Sequence, residues 1–208
     1  MIPQIFKRDR KAFGLKTLAP YPRVDQFAID ENAIAIEDEK TRAGPIQRST
    51  QGTPLKHVAK QDTVMADPEG IYNWRRLDDR ITTSGQPTEE QLAEICALGV
   101  RHVVNLALHT HEKALPDEAA SVSRLGMTYV HIPVDFQNPT EQDFQQFCTV
   151  MEQFKDVPVH VHCIANYRVS AFFCRYHRDV LGMDEAKAHA EMEAVWHPEG
   201  VWAGFVER

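Results

Sequence analysis

The stretch PVHVHCIANYRVSAFFCRYHR, residues 158–178, decides the fold of this chain. In its first part valines alternate with a proline and two histidines, and a period of two is typical of a β-strand. Beyond Cys163, apolar side chains recur with the i, i+3, i+4, i+7 spacing of one helical face, at Val169, Phe172, Phe173 and Tyr176. The sequence therefore predicts a strand, a tight turn that contains Cys163, and a helix.

A cysteine in such a turn has a physical reason to be reactive. The free backbone amides at a helix N-terminus carry roughly half a positive elementary charge, which favours a thiolate over a neutral thiol. The same amides can hold a phosphate group, and the planar guanidinium of Arg168 can bind two phosphoryl oxygens at once. The turn thus predicts a nucleophile beside an anion-binding loop.

The motif HCIANYRVS, residues 162–170, resembles the phosphate-binding loop of the tyrosine and dual-specificity phosphatases. It is most similar to the bacterial beta-lactamase-hydrolase-like phosphatases, and the resemblance covers about residues 71–208. Most tyrosine phosphatases have five residues between Cys and Arg, whereas four separate Cys163 from Arg168. Asn166 stands where these loops usually carry Gly, and Asn is among the few other residues that tolerate a left-handed backbone.

The resemblance implies a role for each residue of the motif. Cys163 is the expected nucleophile, which attacks phosphorus to give a cysteinyl-phosphate that water then hydrolyses. Arg168 is expected to stabilise the phosphoryl charge, and Ser170 to donate a hydrogen bond to the sulfur when the thiolate leaves. The expected substrate-binding residues complete the loop: His162, which fixes the loop by hydrogen bonds, and Ile164, Ala165, Asn166 and Tyr167.

A carboxylic acid is needed to protonate the leaving-group oxygen. Asp135 follows a predicted strand that ends at Val134, so it should lie at the same sheet edge as Cys163. Its position, 28 residues before Cys163, is similar to that of the loop acid in dual-specificity phosphatases. Asp117 is the reserve candidate for this role.

Two other interpretations stay open. The four-residue loop is also similar to that of rhodanese sulfurtransferases, where it suits a persulfide on the cysteine. In a gapless match to the longer phosphatase loop, Val169 falls at the position that Arg usually occupies. A loop without that arginine would make the protein a non-catalytic module that binds phosphate or a partner. The leading hypothesis is a cysteine-dependent phosphatase that needs no cofactor, and its expected partner is a phosphorylated protein or small molecule.

Strands and helices alternate with short links from Ile71 onward, and the strands include residues 71–77 and 127–134. This alternation predicts an α/β fold with a mainly parallel sheet flanked by helices. Capping patterns at Thr88 and Thr140 mark two helix starts, and Gly99 and Gly126 mark helix ends. In such sheets ligands bind at the carboxyl ends of the strands, where Cys163 stands. We predict a cysteine phosphatase-like domain over residues 69–208 after an irregular extension over residues 1–68.

The composition excludes several classes of function. A net charge of -7 and a pI near 5.8 argue against nucleic acid or an anionic membrane as the main partner. The four cysteines form no CxxC pair, and no apolar run is long enough to span a bilayer, which together predict a cytoplasmic location. Histidine pairs at His109/His111 and His160/His162 lack the remaining ligands of a zinc pattern, so no metal site is predicted.

Overall fold

The computed structural model describes residues 66–208. The predicted irregular extension, residues 1–68, therefore lies outside the described residues except for its last three. Five strands form one sheet in the order β1-β2-β5-β3-β4, in which β1 pairs antiparallel with β2 and every other pair is parallel. The strands are β1 Arg75–Arg76, β2 Ile81–Ser84, β3 His102–Asn105, β4 Thr128–His131 and β5 Val159–His162. The predicted fold class, an α/β domain with a mainly parallel sheet, is confirmed.

The helices begin where the sequence predicts. Thr88 and Thr140 each form a capping box with the residue three positions later, so two of the free amides at each helix start are satisfied. The helices are α1 Glu89–Ala97, α2 Glu118–Arg124, α3 Glu141–Gln153, α4 Tyr167–Arg175, α5 Glu185–Glu193 and α6 Val201–Val206, and α4 continues as one π-helical turn over Tyr176–Val180. No helix in residues 66–208 is both long and apolar enough to cross a membrane.

Two predicted strands are shorter than expected. The strand predicted over residues 71–77 is only Arg75–Arg76, because a turn precedes it in which the amide of Trp74 donates to the carbonyl of Ile71 and Asn73 has a positive φ of 50°. The strand predicted over residues 127–134 spans only Thr128–His131, although the amides of Ile132 and Val134 beyond it still donate to the carbonyls of Asn105 and Leu106.

Helices cover both faces of the sheet. Val159 and Val161 face a core formed with helices α3 to α6, whose largest buried side chains are Phe147, Phe172, Met151, Trp202 and Phe205. On the opposite face Val103 packs with Leu92 and Ile95 of α1 and Val122 of α2. Because side chains alternate along β5, His160 and His162 lie on the α1–α2 side of the sheet, opposite Val159 and Val161.

The parallel strands end at one edge of the sheet. The amide of Leu106 donates to the carbonyl of His162 over 2.9 Å, and the amide of Val134 donates to the carbonyl of Leu106 over 3.3 Å. These hydrogen bonds place the residues that follow the strands, Cys163 and Asp135, at the same level of the sheet. The edge where parallel strands end is the usual ligand-binding edge of this architecture.

Candidate functional site

Cys163 lies where the chain leaves β5 and turns into α4. Its amide donates to the carbonyl of Ser84 over 3.3 Å, and neither Cys163 nor its neighbour His162 has exposed surface. Four residues later α4 begins at Tyr167, so the predicted strand, turn and helix are present. The carbonyl of Ile164 accepts a hydrogen bond from the amide of Gln86 over 3.1 Å. In a trans peptide the C=O and N–H groups point in opposite directions, so the amide of Ala165 faces the other side of the loop.

Asn166 gives the loop its sharp bend. Its φ of 66° is left-handed, as the sequence predicts, and the residue is fully buried. Its side-chain amide donates to the carbonyl of Asn73 over 2.8 Å and to the hydroxyl of Thr83 over 3.0 Å. In return the side chain of Asn73 donates to the carbonyl of Ala165 over 2.9 Å. These reciprocal hydrogen bonds hold the short loop against the segment that precedes the sheet.

Gly85 allows the loop to pack tightly against the end of β2. A Cβ atom at this position would lie 2.8 Å from the carbonyl oxygen of Ile164 and 3.1 Å from that of Tyr72. Both are backbone atoms, which cannot rotate away as a side chain can. Only glycine therefore permits this approach, and the β-bridge between Gly85 and Ala165 depends on it.

Arg168 is a buried cation without a carboxylate partner. Its residue surface is 6% exposed, and no ion pair or hydrogen bond joins its guanidinium to another residue of the described part of the chain. The guanidinium carbon lies 5.1 Å from the ring centroid of Phe136, which attracts the cation only weakly. Burying a charge is costly unless an opposite charge accompanies it, so this environment favours the binding of an anion.

Arg175, two turns further along α4, is a buried arginine whose positive charge is paired with carboxylates. It is similarly buried and packs on the ring of Phe144 at 3.9 Å. Unlike Arg168, it pairs with the carboxylates of Glu141 at 3.0 Å and Asp179 at 3.5 Å. The two arginines lie on the same side of one helix, and within residues 66–208 only Arg175 of this pair has carboxylate partners.

Asp135 is exposed in a turn whose next residue touches the Arg168 side chain. Its carboxylate accepts a hydrogen bond from the amide of Gln137 over 2.9 Å. Phe136 packs against the Arg168 guanidinium, and its carbonyl accepts a hydrogen bond from the indole of Trp202 over 2.8 Å. The turn that contains Asp135 is thereby anchored beside the Arg168 side chain.

The other predicted residues have local hydrogen-bond partners. Ser170 is buried, and its hydroxyl donates to the carbonyl of Tyr167 over 3.0 Å. Asp117, the reserve acid, is the N-cap of α2 and accepts from the amide of Ala120 over 3.1 Å. Val169 is fully buried in the hydrophobic core, so its side chain does not face the loop. Of Arg168 and Val169, it is Arg168 whose side chain lies beside the Phe136 turn.

A comparison with known families shows which family the chain belongs to. The family model described as "DSP-PTPase phosphatase fused to NAD+ Kinase" matches residues 56–200. The chain belongs to this family. The predicted resemblance to the tyrosine and dual-specificity phosphatases is thereby confirmed, with the matched residues containing the whole of the Cys163 loop.

Individual relatives of this DSP-PTPase chain agree with the family match. A structure from Shewanella putrefaciens CN-32, described as a DUF442 phosphatase candidate, is 34% identical; the match covers 66% of this chain and 88% of that one, with a TM-score of 0.58. TpbA from P. aeruginosa, solved in complex with pTyr, is 20% identical, with coverages of 64% and 80% and a TM-score of 0.52, which shows a shared fold.

A curated relative is considerably longer than this chain. The beta-lactamase hydrolase-like protein of Xylella fastidiosa strain Temecula1 is 28% identical over 127 residues, which are 60% of this chain. The match spans only 28% of that relative's length. The sequence similarity therefore concerns only a minor part of that relative.

The histidine pairs of this DSP-PTPase domain are engaged in other contacts. The Nδ1 and Nε2 atoms of His160 lie 3.0 Å from the hydroxyls of Thr82 and Ser84, and burial holds the pKa of His160 well below its usual value. His109 stacks on His131 with ring centroids 3.7 Å apart. Within residues 66–208 no group of three or more His, Cys, Asp or Glu side chains is placed to hold a metal ion.

Sequence reasoning missed three residues at this site. Asn73 lies 93 positions before Asn166, and Phe136 is an aromatic residue in a turn, so neither has a local signal. Glu118, in contrast, precedes the buried Val122 by one helical turn and shares its buried face. That spacing could have shown that Glu118 points into the domain.

Proposed function

We propose that this protein is a cysteine-dependent phosphatase that hydrolyses a phosphate monoester. The Cys163 thiolate attacks phosphorus, the bond from phosphorus to the leaving-group oxygen breaks, and Asp135 gives its proton to that oxygen. The Asp135 carboxylate then takes a proton from a water molecule that attacks the cysteinyl-phosphate, and the P–S bond breaks to return the thiolate and inorganic phosphate. No oxidant, reductant or cofactor enters this cycle.

The observation that carries the proposal is the buried, unpaired Arg168 at the start of the helix that follows Cys163. A phosphoryl group supplies the negative charge that this guanidinium lacks, and the fork of donors matches two of its oxygens. In the transition state the same donors stabilise the charge on the equatorial oxygens. The family match supports the same chemistry.

The surroundings of the loop support an aryl phosphate as substrate. Tyr167 of the loop stacks on Trp196 with ring centroids 4.6 Å apart, and Phe136 lies against both Trp196 and Trp202. Phe136, Trp196 and Trp202 line a groove that adjoins Arg168 through Phe136. Flat aromatic leaving groups pack well on such a surface. TpbA, which shares the fold, was solved with pTyr.

The proposal is tested by mixing the purified protein with an aryl phosphate and measuring two products. We expect steady release of inorganic phosphate, and, after rapid quenching in the first turnover, a phosphoryl group on the Cys163 peptide by mass spectrometry. EDTA should leave the rate unchanged. A protein that binds phosphate but releases none from any aryl phosphate would be a binding module, and the proposal would be wrong.

Sulfur transfer is the alternative that the short loop supports, since four residues separate Cys163 from Arg168. The matched family and the solved relatives favour phosphate chemistry instead. Treatment with a sulfane donor distinguishes the two functions, because a sulfurtransferase would gain the mass of one sulfur atom on Cys163. We expect no such gain.

Asp135→Asn should slow hydrolysis by an amount that depends on the leaving group. An alkyl alkoxide leaves poorly without a proton, so we expect kcat for an alkyl phosphate to fall on the order of 10²–10⁴-fold. A nitrophenolate needs little protonation, so the loss for nitrophenyl phosphate should be much smaller. Steady-state kinetics with both substrates measure the difference.

Asp117→Asn is the matched control for this prediction, because Asn also serves well as the N-cap that Asp117 forms on α2. We expect its rates with both substrates to equal those of the wild type. If Asp117→Asn lost activity only with alkyl phosphates while Asp135→Asn kept the wild-type rates, Asp117 would be the general acid instead.

The cytoplasmic location remains part of the proposal. All four cysteines of the chain, Cys96, Cys148, Cys163 and Cys174, are free rather than joined in disulfides. A nucleophilic thiolate must stay reduced to act, and a reducing compartment preserves it.

A further inference from the structure

The turn that carries Asp135 is held by a hydrogen bond from a distant helix. Asp135 is exposed, and so are the last two residues of the turn, which spans residues 135–138. Within residues 66–208, the only hydrogen bond between this turn and another segment runs from the indole N–H of Trp202 to the carbonyl of Phe136, over 2.8 Å. Trp202 belongs to α6 and lies 66 positions further along the chain.

Trp202 is a rigid anchor for the turn. Its side chain is 1% exposed and is the largest of the fully buried side chains. Its ring centroid lies 5.4 Å from that of Phe205 and 6.2 Å from that of Phe172 of α4. Because these neighbours belong to a close-packed core, the indole cannot swing away without displacing them. The N–H group of Trp202 is therefore a fixed donor.

One peptide unit connects this donor to the carboxylate of Asp135. The carbonyl of Phe136 and the amide of Gln137 belong to the same peptide, which is planar and trans, so the two groups point in opposite directions. Trp202 binds the carbonyl, and the amide donates to Oδ1 of Asp135 over 2.9 Å. A rotation of this peptide at its carbonyl would thus also move the amide that holds the carboxylate.

The connection leaves one oxygen of Asp135 available for proton transfer. Oδ1 accepts from Gln137, whereas Oδ2 accepts no hydrogen bond from the described part of the chain. The turn also lies beside the proposed phosphoryl ligand, since the ring centroid of Phe136 is 5.1 Å from the guanidinium carbon of Arg168. A general acid acts only within hydrogen-bond reach of the leaving-group oxygen, so the orientation of its carboxyl group affects the rate.

We propose that Trp202 is a positioning residue for the general acid, which holds the Asp135 carboxylate through the peptide between Phe136 and Gln137. The inference rests on the proposed function and on the role of Asp135 in it. Trp202 contacts neither the phosphoryl group nor the reacting atoms in this scheme. It acts through Asp135, and its loss should affect the substrates that need a proton on the leaving group.

The test is Trp202→Phe, which removes the N–H donor and keeps an aromatic ring. We expect kcat for an alkyl phosphate to fall about 3–10-fold, the effect of losing one hydrogen bond. The kcat for nitrophenyl phosphate should stay close to that of the wild type, since nitrophenolate leaves with little protonation. A higher KM for nitrophenyl phosphate with an unchanged kcat for the alkyl phosphate would show a role in binding the aryl group and would contradict the proposal.

A double-mutant cycle separates action through Asp135 from a structural effect. In an Asp135→Asn background no carboxyl proton is available, so adding Trp202→Phe should cause no further loss with the alkyl phosphate. An equal loss in both backgrounds would show that Trp202 acts on another group, and the proposal would be wrong.

Phe205→Leu is the matched control, because it loosens the same helix and core without removing the hydrogen bond to Phe136. We expect a lower Tm and an unchanged ratio of the two kcat values. If this ratio fell as far as in Trp202→Phe, general loosening of α6 would explain both variants, and the proposal would be rejected.

Hydrogen exchange, followed by nuclear magnetic resonance, tests the connection in the wild type and needs no turnover. The indole proton of Trp202 and the amide proton of Gln137 should both exchange slowly, and exchange of either at the rate of an unfolded chain would overturn the proposal. In Trp202→Phe the Gln137 amide should exchange faster. If that change occurred but the wild type released no phosphate, the connection would stand and the proposed function would fail. If the wild type hydrolysed both esters and Trp202→Phe kept their kcat ratio, the proposed function would stand and this inference would fail.

Discussion

Replacing Cys163 with serine is expected to abolish phosphate release while the domain remains folded. A serine hydroxyl stays protonated at neutral pH, so the helix N-terminus has no thiolate to stabilise. Loss of a catalytic nucleophile lowers kcat on the order of 10⁴–10⁶-fold. Hydrolysis of an aryl phosphate between pH 5 and 8, with circular dichroism to verify the fold, measures the effect.

Cys174→Ser is the matched control for this prediction. Cys174 is almost as buried as Cys163 and packs in the same core, but it lies near the C-terminal end of α4, away from the loop. Both substitutions place a hydroxyl in an apolar environment, so both should lower the free energy of unfolding by about 1–3 kcal/mol. Only Cys163→Ser should remove turnover, and equal rates in the two variants would exclude Cys163 as the nucleophile.

The local order around Cys163 was predictable because short-range patterns determine it. Alternation of valine and histidine specifies β5, the helical spacing from Val169 specifies α4, and the residues between them must turn. The capping boxes at Thr88 and Thr140 are equally local, since each involves residues three apart. Where a pattern spans fewer than about ten residues, the sequence determined the structure well.

Partners that come from distant parts of the chain were not predictable. Arg168 and Arg175 are the same residue type on one helix, and no pattern near them indicates that Glu141 of α3 pairs with Arg175 alone. The contact of Phe136 with Arg168 depends on how a turn packs after the sheet has formed. Tertiary packing decides these contacts, and it gives each arginine its different role.

The buried polar side chains on the α1–α2 side of the sheet are the largest feature that the sequence did not predict. The sequence indicates only that His160 and His162 share one face of β5. It does not indicate that Asn105 of β3 and Glu118 of α2 meet that face, because strand order and helix placement bring them there. A parallel sheet buried on both faces usually carries apolar side chains, so this polar layer is a feature that only the three-dimensional arrangement makes visible.

Arg168→Lys should lower kcat/KM on the order of 10²–10³-fold, although the positive charge is retained. Lysine is a point charge on a flexible stem and cannot place two donors on two phosphoryl oxygens at once. The loss should appear mainly in kcat, since the oxygens carry most charge in the transition state. Inorganic phosphate, tested as a competitive inhibitor, should bind less tightly to the variant as well.

Arg175→Lys makes the same chemical change at the paired arginine and is the matched control. Its guanidinium packs between Phe144 and Phe205 and pairs with Glu141, so the substitution should cost about 1–3 kcal/mol of folding stability. Once folded, this variant should keep the wild-type kcat. The expected pattern is thus opposite for the two arginines, with activity lost at Arg168 and stability lost at Arg175. If Arg168→Lys kept full activity and lost only stability, Arg168 would be a structural residue like Arg175, and the observation on which the phosphatase proposal depends would no longer support it.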